Sequence, residues 1–484
     1  MMFYKNKTTV NRIVFLSLKL DWRYKMKKKT AWENYDEVQL KEVFEFSEGY
    51  KDFLSDCKTE RECVKRVVKE AKKAGYRDLN QVILNEGVLE AGDKVYVNNM
   101  DKAIALFLIG SEPIEKGMNI LGAHIDSPRL DLKQNPLYED TELAMLDTHY
   151  YGGIKKYQWV TVPLALHGVV VKKDGTQVDI VIGEAETDPV VGVSDLLVHL
   201  SAEQMDKKAS KVVEGENLNI LVGSIPLQGE EKDAVKANIL KLLKDKYDIE
   251  EEDFLSAEIE AVPAGRARDY GMDRSMVMGY GHDDRVCAYP SYKALFELEE
   301  SEKTSVCLFV DKEEVGSMGA TGMQSKFFEN TVAEIINCMG DYSEILLRRA
   351  LKNSKMLSSD VSAAFDPNYP STMEKNNSAY FGKGLVFNKY TGARGKSGSN
   401  DANAEYIAQL RNILDKNGVA FQTAELGKVD QGGGGTIAYI LANYNMEVID
   451  SGIALQNMHA PWEIASKADI YEAKKGYLAF LKEA

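Results

Sequence analysis

A chain of 484 residues that is 44% apolar and 28% charged has an ordinary globular composition and enough length for two domains. Its net charge of −15 argues against nucleic acid as a partner, because a phosphate backbone requires a basic surface. No apolar run approaches the ~20 residues that a membrane span needs.

The charge is uneven. Residues 1–29 carry nine Lys/Arg and one Asp, a net +8, so the remainder carries −23. The apolar stretch Ile13-Val-Phe-Leu-Ser-Leu18 is short, and no small-residue cleavage site follows it, which makes a poor secretory signal. Met26 reads as the more natural start, and residues 1–25 as a disordered or spurious extension. Cys57, Cys63, Cys287, Cys307 and Cys338 lack metal-ligand spacing and are odd in number. They read as reduced thiols of a cytoplasmic protein, mostly core filler.

Over residues 34–75, apolar positions at helical offsets (Val38, Leu40, Val43, Phe44, then Val64, Val67, Val68) predict two amphipathic helices. Residues 103–109 and 118–122 are short apolar runs with strand character. From Pro136 to Pro263 the pattern changes. Residues 160–171, the turn Lys172-Lys-Asp-Gly175 and residues 178–182 predict a β-hairpin. A charged stretch over 229–253 follows and contains a helix-like run at 234–243. After Pro263, strand candidates at 304–310, 356–360, 384–390, 418–423 and 446–450 alternate with helix candidates at 284–300, 324–338, 401–416, 436–443 and 469–483. The expected fold is α/β, a mixed but mostly parallel sheet sandwiched by helices, with a β-rich domain inserted. Residues 26–135 and 264–484 would form the main domain and 136–263 the insert.

Glu313 and Glu314 follow the apolar run Thr304–Val310 and precede the glycines 316, 319 and 322. Alone, such a pair reads as solvated surface charge. At a strand end, however, adjacent side chains diverge, so one carboxylate could hold a metal while its neighbour faces a water. His124 and Asp126 form a His-x-Asp pair after a strand-like run, where the carboxylate can orient the imidazole. Gly281-His-Asp-Asp-Arg285 opens a predicted helix, where either Asp283 or Asp284 would also serve as an N-cap. Asp360 ends the run Met356-Leu-Ser-Ser-Asp360, and His459 follows an apolar segment. In open α/β sheets, ligands gather at the carboxyl ends of strands, and these residues all fall near such ends. Two imidazoles and three carboxylates suit a pair of zinc, cobalt or manganese ions.

The ordered set His-x-Asp, Asp-Asp-Arg, Glu-Glu-Val-Gly-Ser, Ser-Ser-Asp and Met-His resembles the aspartyl aminopeptidase and vacuolar aminopeptidase I family of di-zinc aminopeptidases. The likeness runs from about Asp36 to the C-terminus and includes Asp366-Pro-Asn-Tyr-Pro370, Gly395-Lys-Ser-Gly-Ser-Asn400 and the Gly432–Gly435 run. It implies a bacterial member that removes the N-terminal residue from peptides with a free N-terminus. Two divalent metal ions per subunit are implied, zinc before cobalt or manganese. Asp283 would bridge the two ions, His124 and Asp360 would complete one site, and Glu314 and His459 the other. Glu313 would act as general base toward a water activated by the metals, and Asp126 would orient His124. His282 and Asp284 would flank the site.

The resemblance further implies that the inserted domain mediates dimerisation and that dimers build a tetrahedral dodecamer. His199 matches a position that reaches a neighbouring subunit's site. His149 and His167 match no ligand position and read as structural. Members selective for acidic N-terminal residues carry a lysine where this chain has Asn388, with Lys389 one residue along. A one-residue offset on a strand reverses the face, which argues for a neutral or broad preference. The tetraglycine lacks the Gly-Lys-Ser/Thr ending of a phosphate loop and reads as close backbone approach to a peptide. Two alternatives to an aminopeptidase are a di-metal carboxypeptidase or deacylase, which needs a cation for the substrate carboxylate, and a non-catalytic binding protein, which would lack a ligand or the base.

Overall fold

The computed structural model describes residues 29–484. The predicted extension at 1–25 lies outside them. Two capped amphipathic helices open the described chain, Glu37–Asp56 and Glu60–Lys73, each with a reciprocal capping box at its N-terminus (Asp36 with Gln39, Thr59 with Glu62).

A nine-stranded sheet forms the centre of the molecule. Its order is Arg77–Asp78, Lys94–Asn99, Ala103–Leu108, Thr304–Val310, Met118–His124, Lys355–Ser359, Glu447–Gly452, Leu385–Asn388 and Phe421–Thr423. The four strands in the middle, from Thr304–Val310 to Glu447–Gly452, are mutually parallel, whereas antiparallel pairings occur on either side of them. These middle strands are apolar on both faces because helices cover both. Cys307 and Phe309 pack with Tyr50, Phe53, Tyr292, Tyr477 and Phe480 on one side. Val306, Leu308 and Val310 pack with Val332, Ile335, Leu347 and Leu441 on the other. All five cysteines are buried and free.

A second, six-stranded sheet is wholly antiparallel, in the order Gln177–Ile182, Leu164–Val171, Ala257–Pro263, Arg129–Asp140, Leu143–Tyr151 and Ile220–Gly223. It encloses its own core around Leu130, Trp159, Leu166, Ile180 and Val262, against which the helix Ala234–Tyr247 packs. The architecture is thus α/β with a β-rich second domain. The expected boundary at residue 136 falls inside the strand Arg129–Asp140, which starts three residues after Asp126 and carries the chain from the central sheet into the second one. A third sheet of five short strands, among them Ala454–Gln456 and Glu463–Ser466, was not anticipated, and neither was the helix Glu344–Lys352.

No helix among the described residues is long and apolar enough to cross a membrane.

Candidate metal centre

The parallel register brings the first site residues together. Val310 lies across from His124, and Ser358 across from Gly122, so Asp360, two residues on, comes level with the imidazole. Glu313 and Glu314 lie just beyond Val310. Their divergence comes from a tight 3-10 turn over Glu313–Val315 rather than from strand pleat, since the strand has already ended. At three residues per turn, neighbours in such a turn point about 120° apart.

Asp283 enters from the start of the helix His282–Phe296, and the Asp283–Asp284 peptide is cis. His459 does not extend a strand of the central sheet. It sits in the loop between Ala454–Gln456 and Glu463–Ser466 of the third sheet, with φ +64°.

Asp283 lies between the two imidazoles. One oxygen is 3.1 Å from His124 Nε2, and the other is 3.3 Å from His459 Nε2. His459 Nε2 is also 3.5 Å from Glu314 Oε1. Donor atoms of His124, Glu313 and Asp360 lie within 4.8 Å of one another, as do those of His124, Asp283 and Glu314. These groupings place Glu313 as close to the donors as the residues expected to be ligands. Proximity therefore does not separate base from ligand, and chemistry must.

Burial pushes the Glu313 carboxyl up to about 7; the imidazoles of His124 and His459 oppose this, and Asp283 and Asp126 add to it. Burial likewise holds Glu314 and Asp360 well above the usual carboxylate range, with Asp283 contributing to both. Burial alone would lower His459, but Asp283 and Glu314 push it up to about 10. Carboxylates this crowded compete for protons, and cations would relieve the crowding. Glu314 Oε1 is buried with no hydrogen-bond partner among the described residues, an orphan acceptor of the kind a cation satisfies. The donors are nitrogen and oxygen only, which fits zinc and similar divalent ions.

Asp126 makes contacts beyond those to His124. His124 Nδ1 lies 3.1 Å from the main-chain carbonyl of Asp126 and 3.4 Å from its carboxylate. The carboxylate accepts the backbone N–H groups of both Glu313 and Glu314 at 3.2 Å, and the Tyr151 hydroxyl at 2.8 Å. The aspartate thus fixes the glutamate turn as well as facing the imidazole.

The other candidates contribute to neither donor group. His282 is buried with Nδ1 2.8 Å from the Tyr50 hydroxyl, and burial pushes its pKa down to about 3. Asp284 is buried behind Asp283 and belongs to neither donor group. His199 is exposed on the short turn Val198–Leu200. His167 is held between Glu62 and Glu184, and His149 bonds to the Tyr150 carbonyl, both structural arrangements. The tetraglycine approaches protein backbone: a Cβ on Gly432 would fall 1.6 Å from the Leu426 carbonyl oxygen, and one on Gly433 2.5 Å from Ala393 Cα.

Residues 53–481 match the family described as aminopeptidase I zinc metalloprotease (M18). The chain belongs to the M18 family of zinc aminopeptidases. A probable M18 family aminopeptidase 1 of Clostridium acetobutylicum is 70% identical over 94% of this chain and 98% of its own length. The crystal structure of an M18 aminopeptidase from Thermotoga maritima superposes with a TM-score of 0.90 at 45% identity, covering 95% of this chain and 100% of that one. The mApe1 dodecamer of S. cerevisiae, at 19% identity and a TM-score of 0.72 over 92% of this chain and 97% of that one, shares the fold. M18 membership makes this chain a metalloaminopeptidase.

The sequence reading missed two supports of the centre. Glu463 accepts the His459 N–H at 2.8 Å and the Asp283 N–H at 3.1 Å. Gly153 offers its carbonyl to His459 Nδ1 at 2.9 Å. The one sequence signal for Glu463 was a carboxylate four residues after His459.

Proposed function

We propose that this aminopeptidase works with two divalent ions per subunit, zinc in the native enzyme, bridged by Asp283. His124 and Asp360 would complete one site, and Glu314 and His459 the other. The observation that carries the reading is Asp283 itself, whose two oxygens face two imidazoles from opposite sides. When bound, the ions would supply Lewis acidity toward the scissile carbonyl and the hydrolytic water. Glu313 is the general base: its carboxylate lies within 4.8 Å of the His124 and Asp360 donor atoms, on the same turn as Glu314, where it can take a proton from the water and return it to the leaving amine nitrogen. Glu314 serves as ligand, since its buried Oε1 accepts no hydrogen bond and lies 3.5 Å from His459 Nε2. Asp126 holds both in register through their backbone amides.

The substrates are peptides with a free N-terminus, and the first residue is neutral or broadly chosen. Asn388 is buried and donates to Ser362 Oγ at 2.6 Å, while Lys389 is paired with Asp401 on the exposed side. The β-rich domain, residues 129–263, mediates dimerisation, and dimers assemble into a tetrahedral dodecamer. Leu197, Val198, Leu200 and Met205, 54%, 76%, 68% and 72% exposed beside His199, give that domain an apolar stretch to bury. His199 would thereby reach the neighbouring subunit's site.

The test is an aminoacyl-anilide panel on metal-analysed protein, with and without chelator, together with mass in solution. Turnover of free-amine substrates, lost on chelation and restored by zinc, supports the reading. Chelator-insensitive turnover overturns the metal assignment, and a monomeric mass overturns the assembly.

A further inference from the structure

Three consecutive residues at the end of a strand in the β-rich sheet touch the metal centre. Tyr151 closes Leu143–Tyr151 and lies across from Arg129 in the antiparallel pair. Its hydroxyl donates to Asp126 Oδ2 at 2.8 Å, and the same carboxylate holds the Glu313 and Glu314 amides. Gly152 follows at φ +76°, where a Cβ would lie 3.1 Å from Glu314 Oε2. The Gly153 carbonyl oxygen lies 2.9 Å from His459 Nδ1, and a Cβ at this residue would sit 3.4 Å from that nitrogen.

The segment is itself braced. Arg129 Cζ stacks 3.8 Å from the Tyr151 ring centroid. The guanidinium is held by Asp131 at 2.8 Å, Glu260 at 3.2 Å and Glu60 at 3.5 Å. Glu60 comes from a helix on the central sheet and Glu260 from the β-rich sheet, so Arg129 ties the two layers together beneath Tyr151.

We infer that Tyr151-Gly152-Gly153 is a positioning segment through which the β-rich sheet sets the geometry of the metal centre. Tyr151 fixes the carboxylate of Asp126 and through it the turn that aims Glu313 and Glu314. Gly153 accepts the Nδ1 proton of His459, which leaves the Nε2 lone pair directed at the ion site. Gly152 lets the strand end pass close to Glu314, where a side chain would crowd the carboxylate. None of the three contacts substrate in this role; each acts through a residue that does or through a ligand.

The inference rests on the site assignment proposed above. Tyr151→Phe removes the hydroxyl and keeps the ring on Arg129, so the brace survives. Partners of this kind change metal affinity or activity by about 10- to 100-fold when removed. The expected result is a kcat lower by that factor with KM nearly unchanged, and zinc yielded more readily to a competing chelator. Wild-type kcat and wild-type zinc retention in Tyr151→Phe overturn the proposal. If that variant does not fold, Gly153→Ala, at a residue without left-handed backbone and with its new methyl 3.4 Å from His459 Nδ1, is read by the same two measurements, with the same results for and against. Glu313→Gln is assayed in parallel. If it keeps turnover, the site assignment has failed, whereas the zinc competition still reports on Tyr151 independently.

Discussion

Glu463 accepts the backbone N–H of Asp283 through one carboxylate oxygen and that of His459 through the other, at 3.1 and 2.8 Å. The two residues flank the centre from different elements, and one buried carboxylate sets the spacing between them. Burial and the nearby Asp283 push Glu463 up to about 8, so the group is costly to keep ionised and is retained for its geometry. In Glu463→Ala both amides lose their acceptor, and each unsatisfied buried N–H costs roughly 1–3 kcal/mol. Denaturant unfolding of the variant should show a loss of about 2–6 kcal/mol on that basis. A loss below about 1 kcal/mol would mean that water replaces the carboxylate without penalty.

Glu313→Gln keeps the size of the side chain and removes its ability to take a proton. General acid–base catalysis contributes about 10²–10⁴-fold, so kcat should fall by that order while bound zinc stays at the wild-type level. Glu314→Gln should differ in kind. Losing a ligand, it should lose zinc along with turnover, and metal analysis of the two purified variants separates the roles. Equal zinc loss in both would make Glu313 a ligand as well.

The ends of the parallel strands were legible because buried parallel strands read as continuous apolar runs. His124, Glu313, Glu314 and Asp360 could be placed in this way before any coordinates. The position of His459 was less so, since the third sheet is built from pieces of two to four residues in which periodicity carries no signal. Glu463 belongs to the same sheet and was missed for the same reason. Tyr151 and Gly153 act across sequence separations of 25 and 306 residues, which no local pattern encodes. The separation of Glu313 from Glu314 was foreseen, but its cause is a helical turn and not the pleat.

Stability of the metal-free protein should fall as pH rises. Glu313 and Glu463 ionise near 4.5 when unfolded and near 7 and 8 when folded, so between those values the folded state holds more protons. By linkage, raising the pH then draws protons off the folded form and removes stability. His459 adds to the slope: its pKa rises from 6.5 to about 10 on folding, and its ion pair with Asp283 is lost as pH passes that value. Asp283 and Asp126 are held below their usual values, so their contribution is present at neutral pH and lost only under strongly acidic conditions, and His282, lowered to about 3 by burial, opposes the trend only up to its unfolded value of 6.5. Melting curves of chelated protein should therefore shift downward between about pH 5 and pH 8, and zinc should raise the melting temperature most at the upper end. A melting temperature of the chelated protein that climbs across this window would contradict the crowded-carboxylate account.

Acidic N-terminal residues should be poor substrates. Selectivity for them needs a cation facing the first side chain, and at the matching position the chain has Asn388, engaged with Ser362 Oγ. Lys389 is the adjacent cation, but it lies exposed just past the strand end and shares the Asp401 carboxylate with Lys396. An aspartyl side chain would then be desolvated with no charge partner, a penalty that readily exceeds the ~1.4 kcal/mol separating a tenfold difference in rate. Leucyl- and alanyl-anilides should exceed aspartyl-anilide in kcat/KM by at least about tenfold on that basis. Lys389→Ala should leave the ratio unchanged, because the lysine is exposed and held by Asp401. An aspartyl preference in the wild-type enzyme, abolished by Lys389→Ala, would show instead that the strand shifts by one residue on binding substrate and turns the lysine inward.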